Sequence, residues 1–78
     1  SLLPADAAGN AVRGHVVALD TRDSIILSDD GGLIATIGLD DVVVVQSGGA
    51  TLVARRDQLD KLKGLVEGLN DRGYGPYL

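Results

Sequence analysis

His15 is the only histidine among the 78 residues, and no cysteine accompanies it. The side chains that most often act as base or nucleophile near neutral pH are thereby reduced to one lone imidazole, which reads as a packed or surface residue. Ser24, Ser28 and Ser47 supply hydroxyls, but a serine needs an adjacent base to attack, and no strand-elbow-helix signature exposes one here. The acid pairs Asp29-Asp30 and Asp40-Asp41 carry oxygens suited to a hard cation. Neither lies in a DxDxDG loop closed by a glutamate at its twelfth position, so both read as solvated turn formers. Gly31-Gly32 and Gly48-Gly49 open no helix, and no G-x-G-x-x-G or P-loop string places backbone amides around a phosphate. The residues assemble no catalytic, cofactor-binding or metal-binding set.

Charge and composition narrow the partners. Eleven acids against seven bases give a net charge of −4, which argues against a nucleic-acid face or an anionic membrane surface. Ten of the eleven acids are Asp, a residue that closes local turns and tolerates unusual backbone angles, so frequent turns are expected. No stretch approaches the roughly 20 apolar residues of a membrane span, and none reads as a signal segment. The missing cysteines fit a reducing compartment, and the cytoplasm is the expected location. Phe, Trp and Met are absent, leaving Val, Leu, Ile and Ala to build a core of thin, regularly stacked layers. A sequence without Met also lacks an initiator, which suggests a processed product or a piece of something longer.

The elements follow from the apolar pattern. Residues 1–12 hold Pro4, Gly9 and Asn10 with no sustained period and read as a linker. Five apolar bursts follow, HVVAL (15–19), SIILS (24–28), LIATI (33–37), VVVV (42–45) and TLVA (51–54), with centres about nine residues apart and turn-forming residues between them. Five short strands at even spacing suit a meander, a small barrel or a solenoid, and the density of β-branched residues disfavours helix. From Arg55 the period changes. Leu59, Leu62, Leu65, Val66 and Leu69 predict one amphipathic helix over roughly 57–70, with Asp57 as its cap and Asn70 and Gly73 as its stop. Gly64 and Gly68 sit four apart on it, for close backbone approach or as tolerated surface positions. Residues 74–78 read as a tail. Residues 1–54 carry seven Asp and two Arg, and the remainder four acids and five bases, so the helix is electrostatically suited to lie on the strands.

LIATIGLDDVVVV (33–45), ATLVAR (50–55) and DQLDKLKGLVEGL (57–69) together resemble the C-terminal part of bacterial mannose-1-phosphate guanylyltransferases. Gly9-Asn10, Gly14, Val17, Asp20-Thr21, Asp23-Ser24 and Ser28 fall where that family writes a glycine-asparagine start and a D(T/S)-x-(D/N)-S stretch. The resemblance implies a mainly β fold: a short left-handed β-helix-like solenoid of about five strands over 13–54, one C-terminal amphipathic helix over 55–73, and a Rossmann-like nucleotidyltransferase domain before it. That domain would join GTP and mannose 1-phosphate with magnesium. Its glycine-rich signature and metal-ligating acids are absent here, so no catalytic, cofactor or metal residue carries over. What transfers is structural: the strand positions 35–38, 42–45 and 52–54, and Lys63. Gln46 and Ser47-Gly48-Gly49 depart from the family's acid and Thr-Pro-Asp, and the glycines imply a tighter or more flexible turn at that corner. The chain stops without the cupin-type isomerase domain of some relatives, which favours the single-function form.

Two functions are open: an accessory, oligomerising domain of such an enzyme, or a free-standing protein-interaction module of the same fold. The expected partners are the nucleotidyltransferase domain of the same polypeptide and a second copy. A chain this short buries only about 60% of its unfolded surface and needs help to be stable. Val42, Val43, Val44, Val45, Leu52 and Val53 are the candidate interface residues.

Overall fold

The structure is a computed structural model and describes residues 6–78. Strands β1 (Ala11–Arg13), β2 (His15–Leu19), β3 (Ile25–Ser28), β4 (Leu33–Ile37) and β5 (Val42–Ser47) alternate between two sheets. β1, β3 and β5 run parallel in one sheet and β2 and β4 run parallel in the other. His15 pairs with Leu33, Ile25 with Val43 and Arg22 with Asp40, the same sequence separation each time. That separation is two of the intervals between apolar bursts. Paired parallel strands are therefore two bursts apart, and the burst between them belongs to the other sheet.

β1 pairs with β3 at a shorter separation, with Ala11 opposite Ile25. The difference lies at the corner between β3 and β4, where residues 29–32 are inserted, whereas Gly14 alone turns the chain between β1 and β2. Gly14 has φ +85°, and a Cβ there would collide with the Ser28 carbonyl oxygen.

The sixth strand breaks the parallel succession. β6 (Ala50–Arg55) folds back on β5 as an antiparallel hairpin, with Ser47 opposite Ala50. Both turn residues, Gly48 and Gly49, have positive φ (60° and 85°), as a two-residue hairpin with the favoured twist requires. The tight turn expected from the Gly-Gly departure is thus present. It ends the order β1-β3-β5-β6 against an opposing sheet of only β2 and β4.

Inward positions stack as the alternation demands. Ile26, Ile34 and Val44 form the buried cluster, with Val16, Ala18 and Val42 packed against it. At the corners the buried residues are polar: Asn10, Thr21, Ser24 and Ser28. The Asn10 side-chain amide donates to the Thr21 carbonyl at 2.7 Å, and its oxygen accepts from the Ser24 N–H at 3.0 Å. Ser24 Oγ donates to the Arg22 carbonyl and accepts from the Val42 N–H, and Thr21 Oγ1 lies 2.9 Å from Thr36 Oγ1. Gly9, Asp23 and Asp41 occupy the same place in successive turns, all with positive φ (82°, 52° and 57°). Aspartate tolerates that region better than most residues, which accounts for part of the Asp-rich composition.

Three expectations change. The linker expected over 1–12 is ordered from Asp6 onward, while residues 1–5 lie outside the described residues. Asp6 accepts hydrogen bonds from Ala8 and Asn10, and Ala11–Arg13 is a strand, too short to show a period and formed because β3 offers it an edge. The helix begins as a 3-10 segment, Arg56–Lys61, and becomes α1 only at Leu62–Asp71. Asp57 caps neither piece, because its carboxylate pairs with Arg55 at 2.5 Å. The expected stop does hold. Gly73 takes φ +87°, and the Tyr74 and Gly73 N–H groups bond the Leu69 and Asn70 carbonyls, closing a Schellman motif. The tail carries a further 3-10 turn, Gly75–Tyr77. A Cβ at Gly64 or Gly68 would meet nothing within 4 Å, so both are surface positions.

The Asp6 carboxylate is held below its ordinary pKa of 3.8, chiefly by the Asn10 backbone N–H. A lowered folded-state pKa means this turn contributes stability above the unfolded value and loses it as pH falls through the folded one. An NMR titration of the Asn10 and Ala8 amides is expected to show them steady at neutral pH and shifting only below about pH 4. Asn10→Ala strands the Thr21 carbonyl and the Ser24 N–H in a buried place and is expected to cost about 2–4 kcal/mol by chemical denaturation. Asp23→Gly, which relieves the left-handed backbone, is expected to be neutral or stabilising.

Candidate functional site

The chemistry-bearing residues do not converge. Ser24 and Ser28 are buried in the corners, where Ser28 Oγ donates to the Gly32 carbonyl, and Ser47 lies exposed at the end of β5. His15 is exposed, with Nδ1 3.3 Å from the Gly31 carbonyl oxygen and no serine among its hydrogen-bond partners. Of the acid pairs, Asp29 is tied to Arg13 at 2.6 Å and Asp40 to Arg22 at 3.2 Å. Asp40 and Asp41 come together with Asp23, their carboxylate oxygens within 4.8 Å of one another, but all three are exposed. The Asp40 carboxylate is engaged by the Arg22 guanidinium, and Asp23 and Asp41 stand on left-handed turn positions. The Asp57 carboxyl is held below its usual value, chiefly by the hydrogen bond from Arg55, a local pairing on the exposed surface.

What the structure does offer is apolar surface. The interface expected over Val42–Val45, Leu52 and Val53 is split by the fold. Val43 and Val44 are buried within the chain, Val42, Val45 and Leu52 are half-buried, and only Val53 stands open, 65% exposed. The reason is the hairpin: β6 covers the edge of β5, and the two-stranded opposing sheet leaves nothing above Val53. Between β6 and α1 runs an open groove of about 500 Å³, lined by Leu52, Val53, Leu62, Leu65 and Leu69 and bordered by Tyr77. The tail rings Tyr74 and Tyr77 lie 6.2 Å apart.

A second surface was not anticipated from the sequence. The outward residues of the β2–β4 sheet are His15, Val17, Leu19, Leu33, Ala35 and Ile37, all exposed, with Ile37 at 71% and Leu33 at 65%. Register places His15 beside Leu33, Val17 beside Ala35 and Leu19 beside Ile37, so five apolar residues form one patch with the imidazole at its Leu33 end. The signal was available: apart from His15, the outward places of HVVAL and LIATI lack the polar residues that a solvated strand face carries. The continuous runs read as core, whereas only Val16, Ala18 and Ile34 point there.

This fold, two parallel ladders joined through alternating corners with a helix after the last strand, is one that known proteins share. Residues 14–69 match the MannoseP isomerase/GMP-like beta-helix domain family, and the chain belongs to that family. It is 40% identical over 68 residues to the alginate biosynthesis protein AlgA of Pseudomonas syringae pv. tomato and 37% identical over 68 residues to a mannose-1-phosphate guanylyltransferase of Escherichia coli. Each match takes in 87% of this chain but only 14% of the relative's length. A crystal structure described as mannose-1-phosphate geranyltransferase from Thermus thermophilus superposes with a TM-score of 0.73 at 33% identity, over 83% of this chain and 20% of that one. The described residues contain no helix long and apolar enough to cross a membrane.

The expected interface residues include two kinds of valine, buried and exposed. Val44→Asp is expected to unfold the chain, since an unpaired carboxylate in that cluster costs several kcal/mol. Val53→Asp is expected to stay within about 0.5 kcal/mol of the parent. Circular dichroism and urea denaturation of the two variants measure the difference.

Proposed function

We propose that this chain is a non-catalytic accessory domain of a sugar-nucleotide-forming nucleotidyltransferase of the mannose-1-phosphate guanylyltransferase type. What supports the reading is family membership over residues 14–69, together with serine hydroxyls and an imidazole that do not converge on one site among the described residues. Transfer of a nucleotidyl group needs a phosphate cradle and converging charge at the reacting centre. Here the glycines serve turns and the acids serve corners, so GTP, mannose 1-phosphate and magnesium would belong to a separate domain of the same polypeptide. Such an enzyme would work in the cytoplasm, where its nucleotide is made.

In this reading the two ladders are the coils of a short β-helix, left-handed as the family resemblance implies, and the hairpin and helix terminate it. Its role is to be held against other protein. The mainly apolar outward face of β2–β4 favours that over a free-standing solvated module, which would carry polar residues at the outward places.

The test is direct. The 78-residue chain with GTP, mannose 1-phosphate and magnesium is expected to release no pyrophosphate above a heat-inactivated control, and turnover would overturn the accessory reading.

A further inference from the structure

The β2–β4 face has a particular distribution of charge. Its five outward apolar residues lie between Asp20, which follows β2, and Asp30, which precedes β4. The nearest guanidinium groups are occupied elsewhere, Arg13 by Asp29 and Arg22 by Asp40, and neither Asp20 nor Asp30 has an ion-pair partner among the described residues. The result is an apolar strip that carries the His15 imidazole beside Leu33 and has at each end an acid without an ion-pair partner among the described residues. A second copy fits it poorly, because in either orientation of two such faces acid meets acid, and like charges brought together at an interface are unfavourable. A partner with an apolar centre and basic flanks fits it well. In the relatives a body several times larger is available to supply one, since the match spans 14% of the Escherichia coli enzyme and 20% of the Thermus thermophilus chain.

We propose that the outward face of β2–β4, centred on Val17, Leu19, Leu33 and Ile37, is the surface that docks on the nucleotidyltransferase domain, against an apolar patch flanked by lysine or arginine. This rests on the accessory-domain reading and adds to it the face and the chemistry of its counterpart. The β6–α1 groove is left outside the contact.

Carbene footprinting reads the exposure of aliphatic side chains and tests this in two samples: the 78-residue chain, and the longer polypeptide encoded by the gene that carries it. Labelling of Leu33 and Ile37 is expected to fall severalfold in the longer polypeptide, with labelling of Leu65 in the groove unchanged. The double variant Leu33→Lys/Ile37→Lys is expected to leave the melting of the 78-residue chain intact, because both side chains are already in solvent, and to split the melting of the longer polypeptide into two transitions. Unchanged labelling beside an intact nucleotidyltransferase domain overturns the docking face alone. A gene that encodes no such domain overturns the accessory reading and the docking together. Labelling that falls with concentration in the 78-residue chain by itself overturns the proposal in favour of a second copy.

Discussion

The side-chain amide of Asn10 holds two turns of the chain together at a point where no apolar contact is available. It is 2% exposed, donates to Thr21 and accepts from Ser24, and its own backbone N–H is held by Asp6. Ser24 passes the connection on through the Val42 N–H, and Thr21 reaches Thr36 in the other sheet. A corner in a stack of short strands exposes backbone donors and acceptors that no ladder can pair, and burying them unpaired costs more than a lost contact. Small polar side chains that fit beneath the backbone meet this need. The apolar cluster of Ile26, Ile34 and Val44 can then be thin, because the corners keep the sheets in register.

Thinness has a consequence on the outside. A strand five residues long, as β2 and β4 are, has few inward places, and a core without any Phe, Trp or Met fills them with one aliphatic side chain each. The outward places are free of that constraint, and in a solitary module polar residues would occupy them. Here, His15 apart, they are valine, leucine, alanine and isoleucine, so the outward face of β2–β4 is mainly apolar. The charges lie at the ends of the strands, where turns require aspartate, so the acidity of the chain and its apolar face have one geometric origin. The proposed role, a domain that lies against another, rests on this distribution.

The five apolar bursts, the hairpin glycines and the helix stop at Gly73 were legible in the sequence, because each depends on residues near one another in the chain. The sequence did not reveal that β1 exists, that strands two bursts apart pair, or that β6 folds back to pair with the edge of β5. Those depend on which strand pairs with which, and partners so far apart along the chain leave no local trace of their pairing. The acids Asp23, Asp40 and Asp41 were visible as turn formers, but only the fold stacks two of them at equivalent corners. The two faces of HVVAL and LIATI are chemically alike in sequence. Tertiary structure alone decides which of them meets the other sheet and which is left exposed.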